Sequence, residues 1–267
     1  MAKITLPELV ERKARGPKLT MLTAYDYPTA KLVDGAGIDL ILVGDSVGMV
    51  CLGYPDTVPV TMDEMVHHTA AVARGVERAF VVGDLPFLSY QTSVEDAVRN
   101  AGRLIKEARA DGVKLEGGRS QADKVEAVVR AGIPVMGHIG LTPQTATQLG
   151  GFKVQGRDPA AAQALLDDAR ALEQAGAFSL VLECVPSALA ARITEAVSIP
   201  TVGIGAGPHC DGQVLVLHDL VGLFDRFVPK FVKRYANLSQ EIRAAVTAYK
   251  EEVQAGAFPA AEHEFGS

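Results

Sequence analysis

The stretch Gly112-Val113-Lys114-Leu115-Glu116-Gly117-Gly118 sets an ammonium and a carboxylate into a run that otherwise reads as a buried strand. Strand side chains alternate with period two, so Lys114 and Glu116 share one face while Val113 and Leu115 take the other. Taking both charges out of water costs several kcal/mol per ion before their attraction offsets it, so a buried pair usually survives where something other than stability needs it. Alone, the run could equally be an exposed edge strand carrying a surface ion pair. Other apolar runs end in the same way and favour the buried reading. Asp45 follows Ile38 to Gly44, Asp84 follows Phe80 to Gly83, His138 follows Ile133 to Gly137, and Glu183 closes Phe178 to Leu182.

Asp45, Asp84 and Glu116 are hard oxygen ligands at three strand ends. Such a set suits Mg²⁺, which is usually held by one or two carboxylates with water and substrate completing its shell. Zinc is a poorer match, because His67 and His68 fall inside a predicted helix, where adjacent side chains diverge. A single strand-end acid reads most simply as a cap. Six ionisable groups on one rim, with Lys114, His138 and Glu183 joining the three acids, do not. Lys114 would either balance the acids or bind a substrate carboxylate, and His138 is either a satisfied core histidine or a second base. Gly203-x-Gly205-x-Gly207 lacks a following helix start at dinucleotide spacing and reads as a tight turn. Asp26 reads as structural.

The elements that must position these groups alternate. Leu6 to Arg15 forms an amphipathic helix stopped by Gly16-Pro17, and Leu19 to Thr23 forms the first strand. A helix from Pro28 to Asp34 and a strand from Ile38 to Val43 follow. Thr61-x-x-Glu64 has capping-box spacing for a helix to Gly75, and Ser93 caps a helix to Arg109. A helix from Gln121 to Arg130 precedes the strand ending at His138, and Asp158-Pro159 opens one that runs to Gln174. Pro186 to Val197 and Pro200 to Ile204 are the next helix and strand. Gly37, Gly112, Gly132 and Gly176 stand at helix-to-strand junctions, where left-handed caps are expected. Seven alternations are distinct; the eighth strand is Val214 to Leu217 or Val221 to Phe224, and Ile242 to Val253 is a closing helix.

Strands alternating with helices imply a parallel sheet, and about eight units in roughly 250 residues imply closure into an α/β (β/α)8 TIM barrel. A doubly wound open sheet would gather its ligand groups at one switch point. Here the polar residues sit at the C-terminal ends of at least five strands, so the expected organisation is one barrel domain over residues 1–267 with a short N-terminal helix and a C-terminal helical extension. The composition, 48% hydrophobic and 22% charged, suits a globular chain with an ample core. A formal charge of −6 without a run of Lys or Arg gives no footprint for nucleic acid or an anionic membrane, which leaves small-molecule chemistry. Cys51, Cys184 and Cys210 are odd in number and widely spaced, and no apolar run is long enough to span a bilayer; a cytoplasmic protein is expected.

Six segments resemble those of the ketopantoate hydroxymethyltransferase family: Thr23 to Tyr27, Leu42 to Met49, Asp84 to Phe87, Val113 to Gly118, Gly137 to Gln144, and Leu182 to Pro186. The resemblance implies a barrel of the phosphoenolpyruvate/pyruvate type acting in pantothenate and coenzyme A biosynthesis. The implied reaction moves a one-carbon unit from 5,10-methylenetetrahydrofolate to 3-methyl-2-oxobutanoate, giving 2-dehydropantoate. It further implies that Asp45 and Asp84 bind Mg²⁺, with Glu116 completing or supporting the shell. Ser46 and Lys114, together with Asp45 and Asp84, would contact the 2-oxo acid; Glu183 would accept a proton and His138 would assist. A homo-oligomer, commonly a decamer, is also implied. Two rivals stand beside this reading: a Mg²⁺-dependent carbon–carbon lyase on a related barrel, and a non-catalytic barrel that binds the same ligands.

Overall fold

The computed structural model describes every residue except Met1, Asp225, Phe227 and Ser267. Eight parallel strands close on themselves in sequence order, β1 pairing with β8. They are β1 (Leu19–Thr23), β2 (Leu40–Val43), β3 (Phe80–Asp84), β4 (Gly112–Glu116), β5 (Val135–Gly140), β6 (Ser179–Glu183), β7 (Thr201–Ile204) and β8 (Gly212–Leu215). The helices are α1 (Leu6–Arg15), α2 (Tyr27–Gly35), α3 (Val47–Val50), α4 (Met62–Gly75), α5 (Val94–Lys106), α6 (Ala122–Arg130), α7 (Pro159–Gln174), α8 (Ser187–Ala196), α9 (Leu217–Leu220) and α10 (Leu238–Ala255). The chain divides into two compact units, Met1–Val216 and Leu217–Ser267, and the first contains the whole barrel.

Within the barrel the period-two alternation sorts side chains by height. Met21, Leu40, Leu42, Phe80, Val82, Met136, Val181, Val202 and Val214 pack into one apolar cluster, which Leu9 of α1 joins. Two residues further along the same inward rows stand Asp84 after Val82, His138 after Met136, and Glu183 after Val181. Register aligns these layers, Asp84 with Lys114 and Glu116 with His138. The sequence pattern therefore builds a dry lower core and a charged upper one.

Several boundaries differ from the sequence expectation for identifiable reasons. Strand β5 continues past His138 to Gly140, because Gly140 pairs with Glu183. The eighth strand starts at Gly212 and Val221–Phe224 is not a strand; a Cβ at Gly212 would press against the Leu19 backbone oxygen at 2.7 Å, so β8 needs glycine to reach β1. Gly37, Gly132 and Gly176 adopt the expected positive φ, but Gly112 does not. That glycine opens β4, where a Cβ would lie 3.0 Å from the Pro134 carbonyl oxygen, and Arg109 takes the left-handed conformation at that junction.

The second unit consists of α9, α10 and a closing turn. Helix α10 ends on left-handed Gly256 and buries none of its residues. Ile242, Val246, Tyr249 and Val253 are exposed on it, at spacings that place them along one side.

Candidate active site

Each polar group at the barrel mouth is delivered by a strand end. Asp45 and Ser46 follow β2, where the chain turns at Gly44; a Cβ there would meet the Ser46 hydroxyl at 2.8 Å. The Asp45 backbone N–H donates to Asp84 Oδ2 at 3.0 Å, and Ser46 Oγ is held 2.8 Å from the Tyr25 hydroxyl. Lys114 Nζ lies 3.1 Å from Asp84 Oδ1 and 3.2 Å from His138 Nδ1. His138 Nδ1 is also 3.4 Å from Glu116 Oε1, while its Nε2 approaches Glu183 Oε2 to 3.1 Å. Asp84, Lys114, Glu116, His138 and Glu183 thus form one connected array, buried except for Glu183 at its edge.

A residue without an assigned role in the sequence reading ties the array together. Gln144, in the short 3₁₀ turn Pro143–Thr145 after β5, donates its backbone N–H to Glu116 Oε2 at 3.0 Å. Its side-chain nitrogen donates to Asp45 Oδ2 at 2.8 Å and to the Leu85 carbonyl at 2.9 Å. Tyr90 contacts Gln144 Oε1 through its hydroxyl at 2.9 Å and accepts the Glu116 N–H at 3.1 Å. Nothing in local sequence marks these two. Gln144 lies at the end of the family-like segment Gly137 to Gln144, which is its only trace.

Charge is unevenly satisfied across the site. Burial, followed by the fields of Glu116 and Asp84, holds the Asp45 carboxyl well above the usual carboxylate range. Burial also raises Asp84 despite the neighbouring Lys114. Burial opposes ionisation of Glu116 too, but His138, Lys114 and the Gln144 N–H outweigh it and lower its pKa. Lys114 is disfavoured as a cation by burial, yet Asp84, Glu116 and Asp45 together raise its pKa. Burial and Lys114 press His138 towards neutrality, but Glu116 and Glu183 prevail and lift it to about 9. With Nδ1 facing Lys114, the neutral ring carries its proton on Nε2, as the imidazolium does; that buried nitrogen has Glu183 Oε2 at 3.1 Å but lacks hydrogen-bond geometry.

These residues fit a hard divalent cation. Asp84 Oδ1 is buried with the Lys114 ammonium 3.1 Å away, and Asp45 is disfavoured as an anion by its surroundings. Both oxygens of Glu116 are already engaged, which suits support of Asp45 and Asp84 better than direct ligation. Among the described residues no group of three or more His, Cys, Asp or Glu converges as a metal cage. Two carboxylates, with substrate and water completing the shell, match Mg²⁺ better than zinc. His67 and His68 form no joint site: their rings are at 89°, and His68 Nδ1 bonds the Tyr25 carbonyl. Asp26 caps α2. Gly205 and Gly207 adopt the positive φ of a tight turn.

Comparison with known proteins agrees with the fold and goes beyond it. A family model described as ketopantoate hydroxymethyltransferase matches residues 3–261. The chain is 65% identical over 264 residues to the 3-methyl-2-oxobutanoate hydroxymethyltransferase of Moorella thermoacetica, covering 99% of this chain and 98% of that protein. It is 61% identical to the enzyme of that name from Enterococcus faecalis, covering 98% and 96%. Among solved structures, a 2,3-dimethylmalate lyase of the PEP mutase/isocitrate lyase superfamily superposes with TM-score 0.62 at 14% identity, covering 97% and 91%. A phosphonopyruvate hydrolase complexed with oxalate and Mg²⁺ gives 0.61 at 16%, covering 98% and 93%. These two show a shared barrel.

Proposed function

Since the chain belongs to the ketopantoate hydroxymethyltransferase family, we propose that its barrel mouth hydroxymethylates 3-methyl-2-oxobutanoate at carbon 3, giving 2-dehydropantoate for pantothenate and coenzyme A biosynthesis, with 5,10-methylenetetrahydrofolate as donor. The observation that carries the reading is the line of contacts from Asp84 through Lys114 and His138 to Glu183. In this reading the Lys114 end receives the oxo-acid head group and Glu183 serves as the base at the other end.

Asp45 and Asp84 would hold Mg²⁺, with Glu116 fixed behind them by Gln144. Bound there, the metal would polarise the 2-oxo group and stabilise negative charge developing on its oxygen. Lys114 neutralises the head group of the oxo acid, and Ser46, oriented by Tyr25, donates to it. Glu183 removes the proton from carbon 3. His138 carries its proton on Nε2 beside Glu183 and so assists the base rather than replacing it. Overall, carbon 3 exchanges a hydrogen for a CH₂OH group; one water supplies the hydroxyl, and the donor departs as tetrahydrofolate. A homo-oligomer, a decamer by the family resemblance, is part of this reading, with the exposed apolar row on α10 offering a surface for subunit contact, and the reaction is assigned to the cytoplasm.

The lyase alternative is not favoured, since the lyase likeness is one of fold while relatives carrying the transferase name share most of the sequence. Incubation with 3-methyl-2-oxobutanoate, 5,10-methylenetetrahydrofolate and Mg²⁺ tests the proposal. The expected result is 2-dehydropantoate formed in step with tetrahydrofolate. Cleavage of a longer 2-oxo or 2-hydroxy acid without folate, and no product from the mixture above, would overturn it in favour of a lyase.

A further inference from the structure

Beside the mouth lies a second concavity of about 260 Å³, between the ends of β4 and β5 and the face of α7. Its inner wall is bare backbone at Gly117 and Gly140, whose φ values are 116° and 96°. Gly117 directly follows Glu116, and Gly140 pairs with Glu183, so slot and mouth share these strand ends. Ile139, Ala164 and Leu165 supply apolar faces. One carboxylate lines the slot, Asp168. Its Oδ1 accepts the Arg119 backbone N–H at 2.9 Å, with Arg119 Nε 3.4 Å from the same oxygen. Oδ2 makes no such bond among the described residues. Gly118 keeps that carboxylate in place, because a Cβ there would overlap it.

The loop over the slot, from Leu149 to Gly156, is pinned by the Gln155 N–H to the Cys184 carbonyl at 2.9 Å, next to Glu183. On it Phe152 is 59% exposed, and Lys153 and Arg157 are exposed beside it in sequence. A narrow, largely apolar slot with one open carboxylate oxygen, an aromatic ring and a cation on its covering loop, and a second cation just after that loop, complements a flat heterocycle with N–H donors at one end and anionic groups at the other. A reduced folate has that layout: amino and ring N–H donors on the pterin, an aminobenzoyl ring, and glutamate carboxylates.

Resting on the reading that the donor is a folate, we infer that this slot seats its pterin, with Asp168 Oδ2 accepting the ring donors and Phe152 stacking on the aminobenzoyl ring. The one-carbon unit then reaches the substrate over Gly117 and Gly140. Asp168→Asn tests this sharply. The Arg119 N–H keeps the amide oxygen at the Oδ1 position, which turns the amide NH₂ towards the ligand's own donors.

Calorimetric titration with tetrahydrofolate should show affinity reduced roughly 10-fold or more in Asp168→Asn, where a charge-assisted bond is lost. Phe152→Ala should weaken binding by about 2- to 10-fold, and Ala164→Phe should block it. All three should retain the parental KM for 3-methyl-2-oxobutanoate and the parental exchange of its carbon-3 proton with solvent, which needs no folate. Parental tetrahydrofolate affinity in both Asp168→Asn and Ala164→Phe would overturn the assignment. A parent protein that neither binds tetrahydrofolate nor turns over with it overturns the folate reading itself, and this inference with it.

Discussion

The two ends of the barrel use the same residue types for opposite purposes. At the N-terminal end, aspartates stand just before strands and accept from the peptide N–H of the neighbouring strand. Asp39 takes the Thr20 N–H at 3.0 Å, Asp111 the Val81 N–H at 2.8 Å, and Asp211 the Thr201 N–H at 2.8 Å. Cations complete them: Arg12 and Arg78 on Asp39, Lys3 on Asp111, Lys13 on Asp211. At the C-terminal end Asp45 and Asp84 are pushed above the usual carboxylate range, burial being the largest cause. Asp84 still accepts one backbone N–H and faces Lys114, so what separates the two ends is the depth of burial, with the Asp45 carboxylate held, among the described residues, only by the Gln144 amide. A carboxylate paired with a strand N–H and a partly exposed cation ties the sheet together, whereas one whose charge is disfavoured by burial is available to a ligand cation.

Asp45→Asn gives the largest expected effect. The amide keeps the shape and a bond to Gln144 but weakens any cation site, so turnover should fall by roughly 10³-fold or more, the scale of several kcal/mol of lost charge stabilisation. The metal-free variant should melt no lower than the parent, since the carboxylate it removes was disfavoured by burial and by Glu116 and Asp84. A large drop in melting temperature at unchanged turnover would make Asp45 a structural residue like those at the other end.

Asp34 offers the smaller, opposite effect. Its carboxylate accepts the backbone N–H groups of Glu77, Arg78 and Ala79. Burial opposes its charge, but these bonds win and lower its pKa. Asp34→Asn should therefore cost about 2 kcal/mol of unfolding free energy with turnover unchanged. A depressed folded pKa stabilises above the unfolded value and is lost as pH falls through the folded one. Denaturant titrations at pH 7 and under acid should find the gap between parent and variant wide at neutrality and closing in acid. A gap that widens in acid would contradict that sign.

Much of the upper layer was legible because the period-two rule acts within single strands: Lys114 and Glu116 had to share a face, and Asp84 had to continue the row of Val82. The barrel was legible from about eight alternations together with the polar residues that end at least five of the strands. Gln144 was not, because its partners Asp45, Leu85 and Glu116 lie on other strand ends, and no local pattern encodes that convergence. Asp39 was read into the strand Ile38 to Val43, yet β2 begins at Leu40 and its side chain serves Thr20 and two arginines. Gly112 misled for a similar reason, since close packing against Pro134 demands glycine as firmly as a left-handed turn does.

The base proposed at the edge of the charged array is tested most directly by hydrogen exchange. In D₂O with Mg²⁺ and no folate, the parent enzyme should exchange the carbon-3 proton of 3-methyl-2-oxobutanoate for deuterium, followed by NMR. Glu183→Gln keeps the size of the side chain but cannot accept that proton, so its exchange should fall roughly 10²-fold or more. His138→Asn, which leaves the Glu183 carboxylate in place, should fall less. Exchange at the parental rate in Glu183→Gln together with its loss in His138→Asn would contradict the account and transfer the role to the histidine.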